Sequence, residues 1–436
     1  MSTPQTETIF ALSSGQPPAA IAVIRISGPA ALEAARSLTT RDLPQPRRAG
    51  LRRFIDPASG DLLDEGLLLC FPGPNTETGE DMVELHAHGS RAVIRGIEEA
   101  LARLPGLRGA EPGEFTRRAF LNGRMDLAAI EGLGDLLAAE TALQRRAAMA
   151  MMGGGLSRRI DEWATALRRL AAQVEARLDF SDEGDVEQAG ALDGVAESCG
   201  AIAEEMEADI ARPPADRLRD GIRVAIGGPP NAGKSTLFNR LVGRDAAITS
   251  AQAGTTRDIL EASIALRAIP LVLFDSAGLR EGTVDEIERI GIDRAGALLA
   301  SADIILWLGP PDGKPYVEGR IIQIHPKADM GENSVPPASG LSISAVTGEG
   351  IDALIDLICD AARSLLPLPG DYALSQRQRA AMARSAAALR EVALTSDEIL
   401  IGECLRQALG ALDELTGRVT TDAVLDELFS GFCVGK

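Results

Sequence analysis

A multidomain fold that combines α/β and all-α domains is expected from three patterns in the sequence. Short apolar runs closed by glycine and proline fill the first 124 residues. Ala- and Leu-rich stretches with helical spacing follow and return at the end. Between them, strands and helices alternate around a glycine-rich loop. This order suggests an N-terminal α/β domain (1–124), helical blocks at 125–215 and 368–436 that are either one discontinuous helical domain or two separate ones, and a doubly wound α/β domain (216–367) inserted between them.

In the first domain, residues 20–27 (AIAVIRIS) end at Gly28-Pro29 and residues 66–71 (GLLLCF) end at Pro72-Gly73-Pro74. Both have the length and boundaries of strands. From Asp126 the turn signals thin out, apart from Gly153-Gly154-Gly155. Trp163, Leu167, Leu170, Val174 and Leu178 recur at spacings of three and four, a packing face of one helix. Ile401, Leu405, Leu409 and Leu412 form a second such stripe near the C-terminus.

Composition narrows the function. The 436 residues carry 44 Lys plus Arg against 63 Asp plus Glu, a net charge of −19, and 45% of them are hydrophobic. That is enough apolar material for about three cores. The acidic balance argues against a protein that coats nucleic acid, so RNA contact must be local or come from a partner. Lysine is confined to Lys234, Lys314, Lys327 and Lys436, arginine supplying the other cations. Five scattered cysteines without a CxxC pair, and three histidines, suggest neither a disulfide framework nor a zinc site. A cytoplasmic protein is expected, since there is no signal-like start and no apolar run of membrane length.

The chemistry is concentrated in the inserted domain. Gly228-Pro229-Pro230-Asn231-Ala232-Gly233-Lys234-Ser235 satisfies GxxxxGK[ST] after the apolar run Val224-Ala225-Ile226 and before a helix-compatible segment beginning at Thr236. In such a P-loop the backbone N–H groups cradle phosphates, Lys234 reaches the β- and γ-phosphates and Ser235 offers a hydroxyl to Mg2+. Gly254-Thr255-Thr256-Arg257 follows in a polar loop, with Thr256 placed to meet Mg2+ when a γ-phosphate is present. The apolar run Leu271-Val272-Leu273-Phe274 leads into Asp275-Ser276-Ala277-Gly278, where the aspartate can hold the metal's water shell and the glycine N–H can meet the γ-phosphate.

A guanine-reading segment should follow as Asn-Lys-x-Asp. Here His325-Pro326-Lys327-Ala328-Asp329 keeps the lysine and aspartate but has proline in the asparagine position, which removes an amide and an N–H donor. Residues 309–319 are rich in proline and glycine where a parallel crossover normally holds a helix, so this edge is expected to be pared down. Ser344-Ala345, before Val346-Thr347-Gly348-Glu349-Gly350, fits a last loop whose backbone meets the base. The expected GTP site thus comprises residues 231–236 (with Ala232, Gly233 and Thr236), 250–256 (with Ser250, Ala251, Gln252 and Ala253), 275–278, Lys327, Asp329, Ser344 and Ala345. Leu279 stands where many GTPases have a water-positioning glutamine. Another group must serve, and Glu281, Asp285, Glu286 and Glu288 lie in the next stretch, where a solvated helix charge is the ordinary reading.

With these residues, the sequence resembles the MnmE (also TrmE) family of tRNA-modification GTPases, of the TrmE-Era-EngA type, over nearly its whole length. The resemblance rests on Ala22-Val23-Ile24-Arg25-Ile26-Ser27-Gly28-Pro29, on Pro112-Gly113-Glu114-Phe115 with Arg118-Ala119-Phe120-Leu121-Asn122-Gly123, and on Phe432-Cys433-Val434-Gly435-Lys436. It implies an N-terminal folate-binding and dimerising domain, a discontinuous helical domain and an inserted GTPase domain. The implied activity is K+-activated GTP hydrolysis. Together with an FAD-dependent MnmG (GidA) partner, which also uses NADH, the family adds an aminomethyl or carboxymethylaminomethyl group to C5 of a tRNA wobble uridine. The one-carbon unit comes from 5,10-methylene- or 5-formyl-tetrahydrofolate. By motif position, Arg25, Glu84, Arg124 and Lys436 would line the folate site, Arg124 standing where a lysine is usual. Asn231, Ser250, Gln252 and Thr255 would hold K+, and Glu288 would orient the attacking water. Cys433 is either a nucleophile toward uridine or a structural thiol. The alternative is a regulatory GTPase of ribosome or RNA assembly without one-carbon chemistry. The acidic charge implies that tRNA is held mostly through the complex, and a homodimer without membrane attachment is expected.

Overall fold

In the computed structural model the described residues are 7–180, 194–244, 260–275, 296–317, 319–330, 340–368, 371–419 and 422–435. They fall into two units, Met1–Gly134 with Asp413–Lys436, and Asp135–Leu412.

In the first unit, strands β1 (Thr8–Leu12), β2 (Ala19–Ser27), β3 (Gly50–Ile55), β4 (Leu62–Phe71), β5 (Met82–Gly89) and β6 (Leu107–Gly109) form one sheet in the order β3-β4-β5-β2-β1-β6. Its pairs are antiparallel except β1 with β6. Side chains alternate along a strand, so Ile24 and Ile26 enter a core with Phe10, Phe54, Leu68 and Leu85, closed by residues of the helices Ala31–Ser37 and Arg91–Ala102. The same alternation sends Arg25 to the other face, opposite Ala11 on β1 and Glu84 on β5. The expected strand at 66–71 begins four residues earlier. Phe54, which is fully buried, pairs opposite Asp64 and draws that polar stretch into register with β3.

The helix Glu114–Leu121 explains the PGEF and RAFLNG motifs. Gly113 precedes it with φ 68°, and a Cβ there would lie 2.5 Å from the Phe429 carbonyl oxygen, which leaves room only for glycine. Arg118, 1% exposed, donates to the Glu7 carbonyl (3.0 Å), to Glu80 (3.1 Å) and to Glu114 (3.0 Å). Ser27 donates to Glu80 as well, and the Asn122 amide donates to the Thr78 carbonyl at 2.7 Å. A single guanidinium therefore fastens this helix to the loop between β4 and β5. Burial alone would raise the Glu114 carboxyl, but hydrogen bonds from Arg108, the Glu111 N–H and Arg118 outweigh it and hold the group below its ordinary value.

The second unit has a helical part and a sheet part. Helices Ala142–Met152, Gly155–Phe180, Val195–Ala211 and Gln376–Val392 belong to it, together with most of Glu398–Thr416. Thr141 with Gln144, and Ser375 with Gln378, form reciprocal capping boxes at two helix starts. Trp163, Leu167 and Val174 are buried, as the stripe predicts, and so are Ile401, Leu405 and Leu412.

Strands β7 (Ile222–Gly227), β8 (Leu260–Leu266), β9 (Ile269–Asp275), β10 (Ile304–Trp307), β11 (Arg320–His325) and β12 (Leu341–Ser342) form the second sheet, in the order β12-β11-β10-β7-β9-β8. Only β8 is antiparallel to its neighbour. The order reverses at β7, and ligands of doubly wound sheets bind in the crevice beyond such a strand. Between β10 and β11 the described residues hold only the 3-10 turn Pro311–Gly313, in place of a crossover helix. The Trp307 indole donates to the Pro310 carbonyl at 3.0 Å and the Gln323 amide donates to the Gly309 carbonyl at 2.7 Å, which folds the connection back onto the sheet.

Replacing Arg118 by methionine takes the guanidinium away from Glu80, Glu114 and the Glu7 carbonyl and is expected to cost the first unit about 3 kcal/mol, measured by urea unfolding of the full chain. Glu114 is the depressed carboxylate of the set. Its stabilisation is complete above the ordinary glutamate value of 4.5 and is lost as pH falls through the lowered folded value, so unfolding midpoints should drop in that acid range.

Candidate functional site

At the C-terminal edge of the second sheet, β7 ends in Gly227 and the chain turns through Gly228, whose φ is 146° and whose Cβ would lie 3.2 Å from the Leu308 backbone. The helix Lys234–Arg244 starts immediately after the turn and presents its free N–H groups to an anion. Lys234, 8% exposed, donates from Nζ to the carbonyls of Gly228 (3.1 Å) and Pro229 (3.0 Å), so the ammonium is held inside the loop. The Ser235 hydroxyl donates to Asp275 Oδ2 at 2.6 Å, and Asp275 is fully buried at the end of β9. A hydroxyl and a carboxylate converging beside a phosphate cradle form an all-oxygen donor pair, which suits a hard cation such as Mg2+. Asn231 is exposed at the tip of the loop with φ 60°.

The segment expected to read the base lies along the same edge. Lys327 follows Pro326 with φ 65°, and both Lys327 and Asp329 are exposed. The Ala328 N–H donates to the Ile343 carbonyl (3.0 Å) and the Ile343 N–H to the His325 carbonyl (2.9 Å), which ties this loop to the one carrying Ser344 and Ala345. Ser344 is buried, and its hydroxyl accepts from the Thr347 N–H at 3.1 Å. Backbone bonds thus brace a loop that has lost the asparagine amide. Arg240, which sequence reasoning missed, packs from the P-loop helix against this last loop. A Cβ at Gly348 would come within 2.4 Å of its Nη2. In the sequence, Gly348 is the one sign of that close approach. The expected residues Ser250, Ala251, Gln252, Ala253, Gly254, Thr255, Thr256, Ser276, Ala277, Gly278, Glu288 and Lys436 lie outside the described residues.

A second charged cluster occupies the first unit. Arg25 donates from Nε (3.3 Å) and Nη2 (3.1 Å) to Glu84 Oε1, pairs through Nη1 with Glu77 Oε2 (2.7 Å), and lies 5.9 Å from the Phe115 ring centroid. His86 Nε2 is 3.3 Å from the other oxygen of Glu84. Arg124 donates to the Thr76 carbonyl at 3.1 Å. The loop between β4 and β5 therefore reaches both arginines through the neighbouring residues Thr76 and Glu77. Sequence reasoning missed Glu77, an ordinary charge in a polar loop. In the same unit a cavity of about 770 Å3 is lined by Phe10, Leu12, Glu98, Ala110, Cys433 and Val434. Cys433 is exposed there, whereas Cys70, Cys199, Cys359 and Cys404 are buried. Burial pushes the Glu98 carboxyl above its ordinary value. The Ser13 hydroxyl donates to the Gly435 carbonyl at 2.8 Å, anchoring the end of the FCVGK motif.

Comparison with known proteins bears on both clusters. The chain matches the family model "GTP-binding protein TrmE N-terminus" over residues 8–124 and the model "MnmE helical domain" over residues 127–433. It is 52% identical to the tRNA modification GTPase MnmE of Erythrobacter litoralis over 430 residues, covering 99% of this chain and 100% of that protein. The chain belongs to the MnmE family of tRNA modification GTPases. MnmE proteins of Rhizorhabdus wittichii (53% identical, 99% of this chain and 97% of theirs) and Zymomonas mobilis (48%, 99% and 100%) are similar in the same way. As an MnmE-family enzyme it is a GTPase acting in tRNA modification, an activity that implies binding of GTP and Mg2+. Among the described residues no helix is long and apolar enough to cross a membrane.

Loss of the Ser235 hydroxyl (Ser235→Ala) or of the ammonium (Lys234→Ala) is expected to lower GTP turnover by about a hundredfold or more at saturating Mg2+. Steady-state phosphate release checks this, and thermal unfolding controls for the fold.

Proposed function

We propose that this MnmE-family enzyme is a K+-activated GTPase that works with an MnmG (GidA)-type FAD-dependent partner. Together they add an aminomethyl or carboxymethylaminomethyl group to C5 of the wobble uridine of tRNA, with a one-carbon unit from 5,10-methylene- or 5-formyl-tetrahydrofolate. The observation that carries this reading is the pairing of Arg25 with Glu84 on the face of the first sheet opposite its main core, in a unit that contains no part of the P-loop. A plain GTPase switch has no use for a second cluster of charge-assisted donors. The domain reading is retained with it: folate-binding and dimerisation in 1–124, the helical domain in 125–215 and 368–436, and the G domain in 216–367.

In this reading Lys234 offers its ammonium to the β- and γ-phosphates, and Thr256 joins Ser235 and Asp275 around Mg2+, which neutralises phosphate charge when bound. Asn231, Ser250, Gln252 and Thr255 supply oxygens that suit K+, and Glu288 orients the attacking water. Asp329 accepts the N–H groups of guanine, with Ala345 and the buried Ser344 closing the base site. Arg25, Glu84, Arg124 and Lys436 hold the folate. FAD and NADH enter only through the partner. A homodimer in the cytoplasm is the working state, and the charge of −19 leaves most tRNA affinity to the complex.

GTP turnover should be higher in K+ than in equimolar Na+, and Glu288→Ala should lower it about a hundredfold while GTP binding persists. Equal rates in the two salts would remove the K+ assignment. Binding of 5-formyl-tetrahydrofolate, followed by calorimetry, should be lost in Arg25→Ala. Submicromolar tRNA binding by the isolated chain at physiological salt would contradict the division of labour with the partner.

A further inference from the structure

Arg25 already has what it needs to be oriented. Its inner edge, Nε and Nη2, meets one oxygen of Glu84, and its plane lies near Phe115. Glu84 is in turn shared with His86 and sits on a strand in the middle of the sheet. The remaining contact is of another kind. Glu77 approaches Nη1 from the loop between β4 and β5 at 2.7 Å, and its side chain is 42% exposed against 18% for Glu84. The loop is pinned on either side of it. The Thr76 hydroxyl donates to the Glu80 carbonyl at 2.6 Å, and the Thr78 hydroxyl lies 2.7 Å from that of Ser27. The backbone is thereby fixed while the Glu77 carboxylate reaches out between two anchors to the solvent side of the guanidinium.

We propose that Glu77 is a built-in competitor for Arg25, a carboxylate that a carboxylate-bearing ligand must displace, and that it sets how strongly this face prefers neutral over anionic ligands. The inference rests on the reading of this face as the folate site, and it deepens that reading by naming the part of the ligand affected, the glutamyl carboxylates. A guanidinium has two edges suited to bidentate recognition, and Glu84 has taken one. A ligand carboxylate at the outer edge meets Glu77 as a like charge and has to replace its ion pair. With Arg25 16% exposed and Glu77 42% exposed, this exchange is worth about fivefold in affinity.

The test is equilibrium binding to the full chain, with Glu77→Gln, Arg25→Gln and the double variant beside it, using 5-formyl-tetrahydrofolate and a tetrahydropterin without a carboxylate tail. Glu77→Gln should tighten the carboxylate-bearing probe about three- to fivefold and leave the tail-less one unchanged. The gain should vanish in the Arg25→Gln background. Unchanged or weaker binding of 5-formyl-tetrahydrofolate in Glu77→Gln, or an equal gain for both probes, overturns the inference and leaves the folate reading intact. If 5-formyl-tetrahydrofolate binds neither the wild-type chain nor Glu77→Gln, the folate reading falls and takes the inference with it.

Discussion

The first unit is organised around one buried cation. Arg118 touches residues brought from three separate places in the sequence: the Glu7 carbonyl before β1, Glu80 in the loop between β4 and β5, and Glu114 on its own helix. Removing such a charge from water is costly, and the cost is offset only where every partner arrives in good geometry. The strand, loop and helix are therefore adjusted to one another rather than separately to the core. The benefit appears some distance away, because the same loop delivers Thr76 to Arg124 and Glu77 to Arg25. A residue with no proposed ligand to hold thus fastens the loop that touches two proposed ligand-holding residues.

The second unit obeys a topological constraint instead. Because its strands run parallel on both sides of β7, their C-terminal ends share one edge, and the P-loop, Asp275, Asp329 and Ser344 come together there without being near in sequence. The proline in the base-reading segment fits this frame. Exchange of backbone hydrogen bonds between residues 325–328 and Ile343 holds the loop by its main chain. In the proposed function, base choice then rests on the placement of Asp329 and depends less on the amide that most GTPases add.

How much of this could be read from the sequence depended on the range of the interaction. The strand, turn and helix of the P-loop are local and were legible as elements. So were the helical stripes, since burial at spacings of three and four is written in a single segment. The Arg118 network was not legible, although Glu114 and Arg118 stand in the PGEF and RAFLNG motifs, because the contact with Glu7 spans 111 positions. The early start of β4 was hidden because Asp64 and Glu65 become strand only through pairing with β3. Glu77 and Arg240 carried no signal of their own, being charges whose partners are set by tertiary structure. The family resemblance supplied Arg25, Glu84 and Arg124, but the loop that links them is visible only in three dimensions.

The near-absence of lysine has a practical consequence for anyone handling the protein. Arginine does not react with amine-selective acylating reagents, so apart from the N-terminal amine this chain offers them only four side chains. Of these, Lys234 is enclosed and bonded to two carbonyls, whereas Lys314 and Lys327 stand open to solvent. A reagent that would label an ordinary protein indiscriminately becomes a sparse footprinting probe here. Its marks separate the enclosed P-loop lysine from the exposed Lys314 and Lys327 without a single engineered residue.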